Sequence, residues 1–470
     1  MQDPSIFVGE GLPVAFSSIS FLFCFLPLFF IIYYLIPVRA KNVVLLAGSL
    51  FFYAWGEPRW ILLLLASILV TWLLGRAMRP EAGAGRRRGL LILGLVFQLG
   101  LLVAVKYAGF FFGAFIDVPK LHLPLGVSFY TFHAISYLVD VYRQKTPPQK
   151  NLLRLGLYLA LFPKLVMGPI VPYHELEPAL AQRTIDAQDV SDGCFRFTIG
   201  LAKKVLLADA LAGLVTGIWG NLASLTVLSA WLGLIGYALQ LYFDFSGYSD
   251  MAIGLGRMLG FRFPENFRYP YLCSSISDFW RRWHISLGSW FKEYLYFPLG
   301  GSRTGTLRTL RNLLLVWLAT GLWHGASWNY VLWGLYFGVL ICLEKLLAPR
   351  FRAHPRKGLL AELYRPVCLL LAVLGWVLFR AEDLPAAGRY FACLFGGAAG
   401  ASAQARLYLH DFWPVLLLGA VGATPLCAKL AGRLGAKLQP GVRAAVQAVL
   451  VLALLAAGVV AAFFAFLIGC

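Results

Sequence analysis

The stretch from Leu313 to Ile341 contains no Asp, Glu, Lys or Arg, and runs of this kind recur along the whole chain. A helix needs about 20 apolar residues to cross about 30 Å of hydrocarbon at about 1.5 Å per residue. Segments 16–37, 60–77, 89–107, 151–172, 194–220, 224–243, 313–329, 330–347, 363–380, 411–428 and 445–468 approach that length. Two segments are shorter: 42–55 is expected to tilt little or pack inside, and 124–139, which begins with Pro124 and Gly126, is a candidate re-entrant element, which lipid tolerates only if protein surrounds it. The expected fold class is therefore all-α, a polytopic membrane protein. Composition agrees: 60% of the 470 residues are hydrophobic and 13% charged, about half the charged share that covers a soluble globule.

The net charge is +19. In a soluble protein such an excess points to nucleic acid, but here the basic residues sit between apolar runs, so nucleic acid is not expected as a partner and the lipid bilayer is. Arg76, Arg79, Arg86, Arg87 and Arg88 form one cluster, and Arg350, Arg352, Arg356, Lys357 and Arg365 another. Basic residues of 262–312, and Lys429, Arg433, Lys437 and Arg443, complete the set. The positive-inside rule places all four regions in the cytoplasm and both termini outside. Residues 1–15 carry Asp3 and Glu10 but no Lys or Arg, unlike a cleavable signal.

His324 lies inside the uncharged run Leu313–Ile341, flanked by Gly321, Trp323, Gly325, Trp328, Asn329 and Trp333. An ionisable side chain in a membrane segment is a functional candidate by default. Histidine is the cheapest such group, because it can stay neutral, and a neutral imidazole is a proton acceptor. The alternative is a buried histidine bonded to a neighbouring helix. His284 follows Trp280-Arg281-Arg282-Trp283 in a stretch, 262–312, where aromatics interleave with Arg and Lys; that mixture suits helices in the headgroup layer or partly buried beneath it. Asp244 and Asp250 sit in a Gly/Ser-interrupted apolar segment. They are expected to play a structural part, at a helix break or paired with Arg257 or Arg262; a transporter would use them for ion coupling. His133 and Lys164 are expected to be packing or snorkelling residues. No P-loop, dinucleotide fingerprint, GxSxG elbow, HExxH or other metal-ligand spacing occurs, so no metal is expected.

Several motifs, in order, resemble the membrane-bound O-acyltransferase family, in particular its bacterial alginate O-acetyltransferase-like branch. They are Phe16-Ser17-Ser18 with Phe21–Pro27, Leu123-Pro124-Leu125-Gly126-Val127-Ser128-Phe129-Tyr130-Thr131-Phe132, and Phe162-Pro163 leading to Gly168-Pro169-Ile170. Phe245–Gly254, Asn266-Phe267-Arg268-Tyr269-Pro270-Tyr271, Phe279–Gly301, and Gly321-Leu322-Trp323-His324-Gly325 through Trp328-Asn329 follow.

The resemblance implies about 11–13 membrane helices in a ring around a thin central tunnel. It implies one domain over 16–470, with a catalytic core at about 124–347 and 1–15 as an extension. His324 corresponds to the family's catalytic histidine and His284 to its second conserved position. Arg281, Arg282 and Lys292 become candidates for the donor's phosphates, and Trp323, Trp328 and Asn329 for the pocket wall. No bound cofactor is implied; acetyl-CoA or another acyl thioester is the expected donor substrate, arriving from the cytoplasm. The expected acceptor is a cell-surface polysaccharide, reached through an extracytoplasmic SGNH-type acetyltransferase partner. D-alanyl transfer from a carrier protein to teichoic acid is one alternative, and a proton-coupled transporter another.

Overall fold

The computed structural model describes residues 15–113, 122–303, 305–352 and 359–468. The N-terminal extension, and Arg356 and Lys357 of the third basic cluster, lie outside the described residues. Among the described residues all regular structure is helical. The chain divides into two compact units. One contains residues 15–197 and Ser249–Pro264, the other Thr198–Tyr248 and the chain from Glu265 onward.

The first unit is built from α1 (Phe21–Leu35), α2 (Lys41–Gly56), α3 (Ile61–Ala77), α4 (Ala84–Phe112), α5 (Val127–Tyr142), α6 (Leu152–Ala160), α7 (Phe162–Leu165), α8 (Tyr173–Ala181) and most of α9 (Ala187–Ala202). Its surface is the reverse of a soluble protein's. Leu62, Leu93 and Val96 are more than half exposed on α3 and α4, while Ser67, Thr71 and Gln98 of the same helices are fully buried. The Ser67 hydroxyl donates to Gln98 Oε1 at 3.1 Å, and Gln98 Nε2 donates to Thr71 Oγ1 at 2.9 Å. Such interhelical bonds suit lipid, where apolar side chains gain nothing by turning inward and polar ones need partners. Helix α5 has almost every side chain buried and packs on α3 and α4; protein surrounds it, as its short length required.

The run 151–172 is not one span. Leu161 leaves the helical region (φ −55°, ψ 108°) between α6 and α7, and Pro163 sits in the first turn of α7. The rings of Phe21, Phe25, Phe29 and Phe52 close around Phe162 at 5.4–6.4 Å and fix this break. His133 and Lys164 are fully buried, with Lys164 Nζ 4.3 Å from the Tyr158 ring centroid and His133 5.4 Å from the same ring. They are packing residues rather than snorkelling ones.

In the second unit a π-helical turn (Lys203–Ala208) carries α9 into α10 (Asp209–Trp219), and α11 (Val227–Met258) follows. The expected span 224–243 therefore continues to Met258, without a break at the Asp244–Asp250 motif. Its glycines serve close approach instead: a Cβ on Gly247 would press on the Gly200 carbonyl, and one on Gly254 on the Gly193 carbonyl. The two aspartates are structural, but not through the partners expected. Asp244 accepts from Lys204 Nζ at 2.9 Å, which also pairs with Asp209 at 2.7 Å, and Asp250 accepts from Arg196 at 2.6 Å. Arg257 and Arg262 pair with Asp189 instead.

Two short helices, α12 (Ile276–Arg282) and α13 (Ile285–Phe291), precede α14 (Thr306–His324), α15 (Trp328–Arg352) and α16 (Leu359–Arg380). Then come α17 (Leu384–Leu394), α18 (Ala403–Gly422), α19 (Leu426–Gly435) and α20 (Pro440–Ile468). Helices α14 and α15 form a hairpin whose backbones nearly touch. A Cβ on Gly321 would overlap the Tyr330 carbonyl, and one on Gly334 the Trp317 carbonyl, the small-residue packing that membrane helices use. Among the described residues, four helices qualify as spans by length and composition: Ala84–Phe112, Val227–Met258, Trp328–Leu347 and Glu362–Arg380. The pair α18 and α19, bent by 67°, qualifies jointly, and Phe21–Leu35, Ile61–Ala77 and Ala445–Gly458 are shorter apolar helices. Together they make a polytopic membrane protein.

The Lys204 cluster yields a stability prediction. Lys204→Met strands the Asp244 carboxylate, which is 3% exposed, and should cost about 3–5 kcal/mol. Adding Asp244→Asn should recover part of that loss. Thermal unfolding of the single and double variants in detergent measures both.

Candidate active site

His284 occupies the junction between α12 and α13. Helix α12 is fixed from both ends of its surroundings. Its first amides donate to Glu344 of α15, with Ser277 N at 2.9 Å and Ser277 Oγ at 2.6 Å, a carboxylate at a helix N-terminus where the dipole favours negative charge. Tyr364 of α16 donates to the same carboxylate at 2.7 Å. The aromatics of α12 pack into the protein core. Trp280 lies 4.7 Å from Trp317 and 4.8 Å from Phe337, and Trp283 lies 4.9 Å from Trp376. Within the stretch 262–312, Phe279 and Trp283 are buried by neighbouring helices.

The chain reverses at His284 in the left-handed region (φ 45°, ψ 54°), a conformation costing a non-glycine residue about 1–2 kcal/mol. A strap holds it there. Ile285 N donates to the Asn266 carbonyl at 2.9 Å and Arg268 N to the Arg282 carbonyl at 2.9 Å. The Asn266 side-chain carbonyl accepts from Ser286 N at 3.1 Å and from Ser286 Oγ at 2.9 Å. Strain retained this way accompanies functional side chains. The His284 ring is buried, and its Nδ1 finds no hydrogen-bond partner among the described residues. Burial pushes the imidazole down to about 4, so the ring is uncharged at neutral pH.

His324 ends α14, and the chain leaves helical conformation at Gly325. A Cβ at Gly325 would collide with the Tyr330 ring, so the turn into α15 needs glycine for space. The His324 ring is walled by Trp333 at 4.9 Å, Phe379 at 5.1 Å, Trp323 at 4.8 Å and Tyr330 at 6.5 Å. Trp323 also lies 6.2 Å from His284. The Trp323 indole therefore lies beside both histidine rings, which are far apart in sequence.

The other candidates divide. Trp323 is in the pocket. Asn329 is 2% exposed and donates from Nδ2 to the Ala381 carbonyl at 2.6 Å, tying the start of α15 to the end of α16. Trp328 is exposed beside it. Arg282 is paired with Asp278 at 3.1 Å. Arg281 and Lys292 are exposed without an ion pair among the described residues. Sequence reading missed Asn266, Tyr330 and Phe379. Asn266 stood in a quoted motif without a role; Phe379 carries no local signal, because only the packing of α16 brings it to His324.

Two tests follow. Asn266→Ala removes the acceptor of two bonds at a buried turn and should lower stability by about 1–3 kcal/mol, read by thermal unfolding. For pH, the unfolded His284 takes up a proton near its ordinary value of about 6.5, whereas the folded ring does so only near 4. Between these values the unfolded state binds more protons. Its contribution to stability should be complete above about pH 6.5 and fall progressively toward pH 4, and His284→Asn should flatten that part of the profile.

The sequence matches the profile of the membrane-bound O-acyltransferase family over residues 50–364. It is 43% identical to a protein described as probable alginate O-acetylase AlgI of Pseudomonas aeruginosa, over 396 residues covering 81% of this chain and 75% of that one. A protein of the same description from Azotobacter vinelandii is 44% identical, over 81% of this chain and 78% of its own. The peptidoglycan O-acetyltransferase of Helicobacter pylori is 35% identical, over 79% and 78%. The histidine pocket and the hairpin that forms it, Gly321–Gly334, lie within the matched region, and this chain is an O-acyltransferase of the membrane-bound O-acyltransferase family.

Proposed function

We propose that the protein transfers an acetyl group from a cytoplasmic thioester, acetyl-CoA or a relative of it, toward a hydroxyl of a cell-surface polysaccharide, from a position in the cytoplasmic membrane. The observation that carries this reading is the pair of buried histidines sharing the Trp323 wall, one of them with an uncommitted Nδ1. The names of the relatives, alginate O-acetylase and peptidoglycan O-acetyltransferase, support acetyl as the group and a polysaccharide as its destination.

The chemistry requires three things of the site. A hydroxyl must lose its proton as its oxygen attacks the thioester carbonyl carbon. The carbonyl oxygen must be stabilised as it gains charge. The C–S bond must then break, with the proton passing to the departing sulfur. His324 is the base: it accepts the hydroxyl proton and delivers it to the thiolate, so the ring ends as it began. His284 offers its Nδ1 side to the thioester carbonyl, donating a hydrogen bond there in the matching tautomer. The aromatic walls exclude water, which strengthens both interactions and protects the thioester from hydrolysis. Arg281 and Lys292 are suited to the donor's phosphates, being exposed and without ion pairs among the described residues; Arg282 is committed to Asp278. This chain hands its acetyl group to an extracytoplasmic SGNH-type partner, which delivers it to the polymer. The basic clusters support a cytoplasmic side for 262–312 and a donor that arrives there.

His324→Ala should lower acetyl transfer in membranes by about 10²–10⁴-fold at unchanged protein abundance; undiminished transfer would remove the base assignment. His284→Ala should reduce transfer partially and raise the donor concentration required, while a variant unchanged in both would assign His284 to structure alone. Offering D-alanyl carrier protein instead of acetyl-CoA discriminates the acyl group, and only the acetyl donor should support turnover.

A further inference from the structure

Helix α18 ends in a bend that the protein fixes. A Cβ on Gly419 would lie 3.2 Å from Leu239 and one on Gly422 3.2 Å from the Phe243 ring, so this end of α18 is pressed against α11. The Thr424 hydroxyl donates to the Val421 carbonyl at 2.7 Å and accepts from the Leu426 amide at 3.3 Å. Past this turn α19 departs by 67° from the line of α18.

No residue of α19 is buried. Leu426, Leu430 and Leu434 are each more than half exposed, and Lys429, Arg433 and Lys437 are exposed as well. At about 3.6 residues per turn, Leu426, Cys427, Leu430 and Leu434 share one arc of the helix. Lys429 and Arg433 run along the edge of that arc, Lys437 continues their row in the following turn, and Ala428 and Gly432 lie opposite. The basic residues recur at every fourth position, where like charges repel. No Asp or Glu follows Asp411 in the sequence, and Asp411 is itself beside His410 at 3.0 Å. A helix of 10 residues that includes Gly432 and Gly435 is marginal by itself, so its stability depends on what its exposed arc and its basic row meet.

Two surroundings fail it. In water the leucine arc stays hydrated and contributes nothing. In hydrocarbon a row of cations without carboxylates is costly, and α18 with its 20 residues already has the length to cross. The boundary layer satisfies both rows, because leucines reach the acyl chains while long basic side chains reach the headgroups. We propose that α19 is an in-plane anchor that binds an anionic phospholipid surface, with its leucine arc among the acyl chains and Lys429, Arg433 and Lys437 on the phosphates. A zwitterionic headgroup carries a phosphate too, but its amine offsets the charge, so a net-negative lipid is the partner this row fits. The positive-inside rule assigns that surface to the cytoplasmic leaflet.

The test uses the full chain in nanodiscs. A bimane is attached to Cys427 in a background carrying Cys24→Ser, Cys194→Ser, Cys393→Ser and Cys470→Ser, or to Gly432→Cys with Cys427→Ser added. A Cβ at Gly432 meets nothing within 4 Å, so the second probe fits without strain. Phospholipid brominated on its acyl chains should quench the probe at Cys427, and aqueous iodide the probe at Gly432→Cys. Bromine quenching of both probes would put α19 inside a span, and iodide quenching of both would put it in water; either result overturns the proposal. The ratio of quenching by brominated phosphatidylglycerol to that by brominated phosphatidylcholine then measures lipid preference at Cys427. It should favour phosphatidylglycerol at least about fivefold, the worth of one basic residue near an anionic surface. The triple variant Lys429→Gln, Arg433→Gln, Lys437→Gln should bring the ratio near one, while Lys429→Arg with Lys437→Arg should keep it. The control triple Arg79→Gln, Arg86→Gln, Arg88→Gln removes as much charge from another exposed cluster and should leave the ratio unchanged. A ratio near one in wild type, or an equal fall in both triple variants, would overturn the assignment, because the attraction would then be absent or owed to net charge alone.

Discussion

In hydrocarbon, a polar group without a partner is costly, so each one kept inside must be either satisfied or used. That constraint organises this protein. Gln98 is spanned by Ser67 and Thr71, Lys204 by two aspartates, Asp250 by Arg196, and the N-terminus of α12 by Glu344. The Nδ1 of His284 is among the buried polar atoms that have no hydrogen-bond partner among the described residues. It sits on a backbone turn that costs energy to hold, secured by the Asn266 strap, with the Trp323 ring 6.2 Å away. The paired groups build the scaffold around the two histidines.

The two histidines are presented by different devices. His324 depends on helix termination: α14 ends at it because the α14–α15 hairpin is packed through Gly321 and Gly334 and turns at Gly325, where only hydrogen fits beside the Tyr330 ring. His284 depends on a strained reversal between two short helices whose aromatics are locked into the core. Both devices put an imidazole at the end of a rigid element rather than on a loop, which suits a reaction that needs atoms held within a fraction of an ångström.

Much of this was legible in the sequence for one reason: long uncharged runs leave few ionisable residues, and those few stand out. His324 was visible on that ground, and its family role followed from the glycine and tryptophan residues around it. What could not be read was pairing at a distance. Asp244 and Asp250 drew the right role but the wrong partners, because Lys204 and Arg196 reach them across a helix crossing made by glycines that resemble helix breakers in one dimension. The run 151–172 looked like a span because apolarity alone does not reveal the break at Leu161, which a ring cluster from remote helices stabilises. In the aromatic-basic stretch, periodicity over two seven-residue helices is too short to show which face packs into protein. Phe379 and Arg380 belong to a helix whose register against His324 only tertiary packing sets.

The central claim is that the histidine pocket joins a donor on one side of the membrane to an acceptor on the other. It is tested most directly by reconstituting the purified protein in sealed vesicles of known orientation, with labelled acetyl-CoA confined to the face bearing 262–312 and a membrane-impermeant hydroxyl acceptor to the opposite face. The account predicts labelled acceptor in that arrangement and none when the two compartments are exchanged. Transfer that occurs only when donor and acceptor share one face would contradict it.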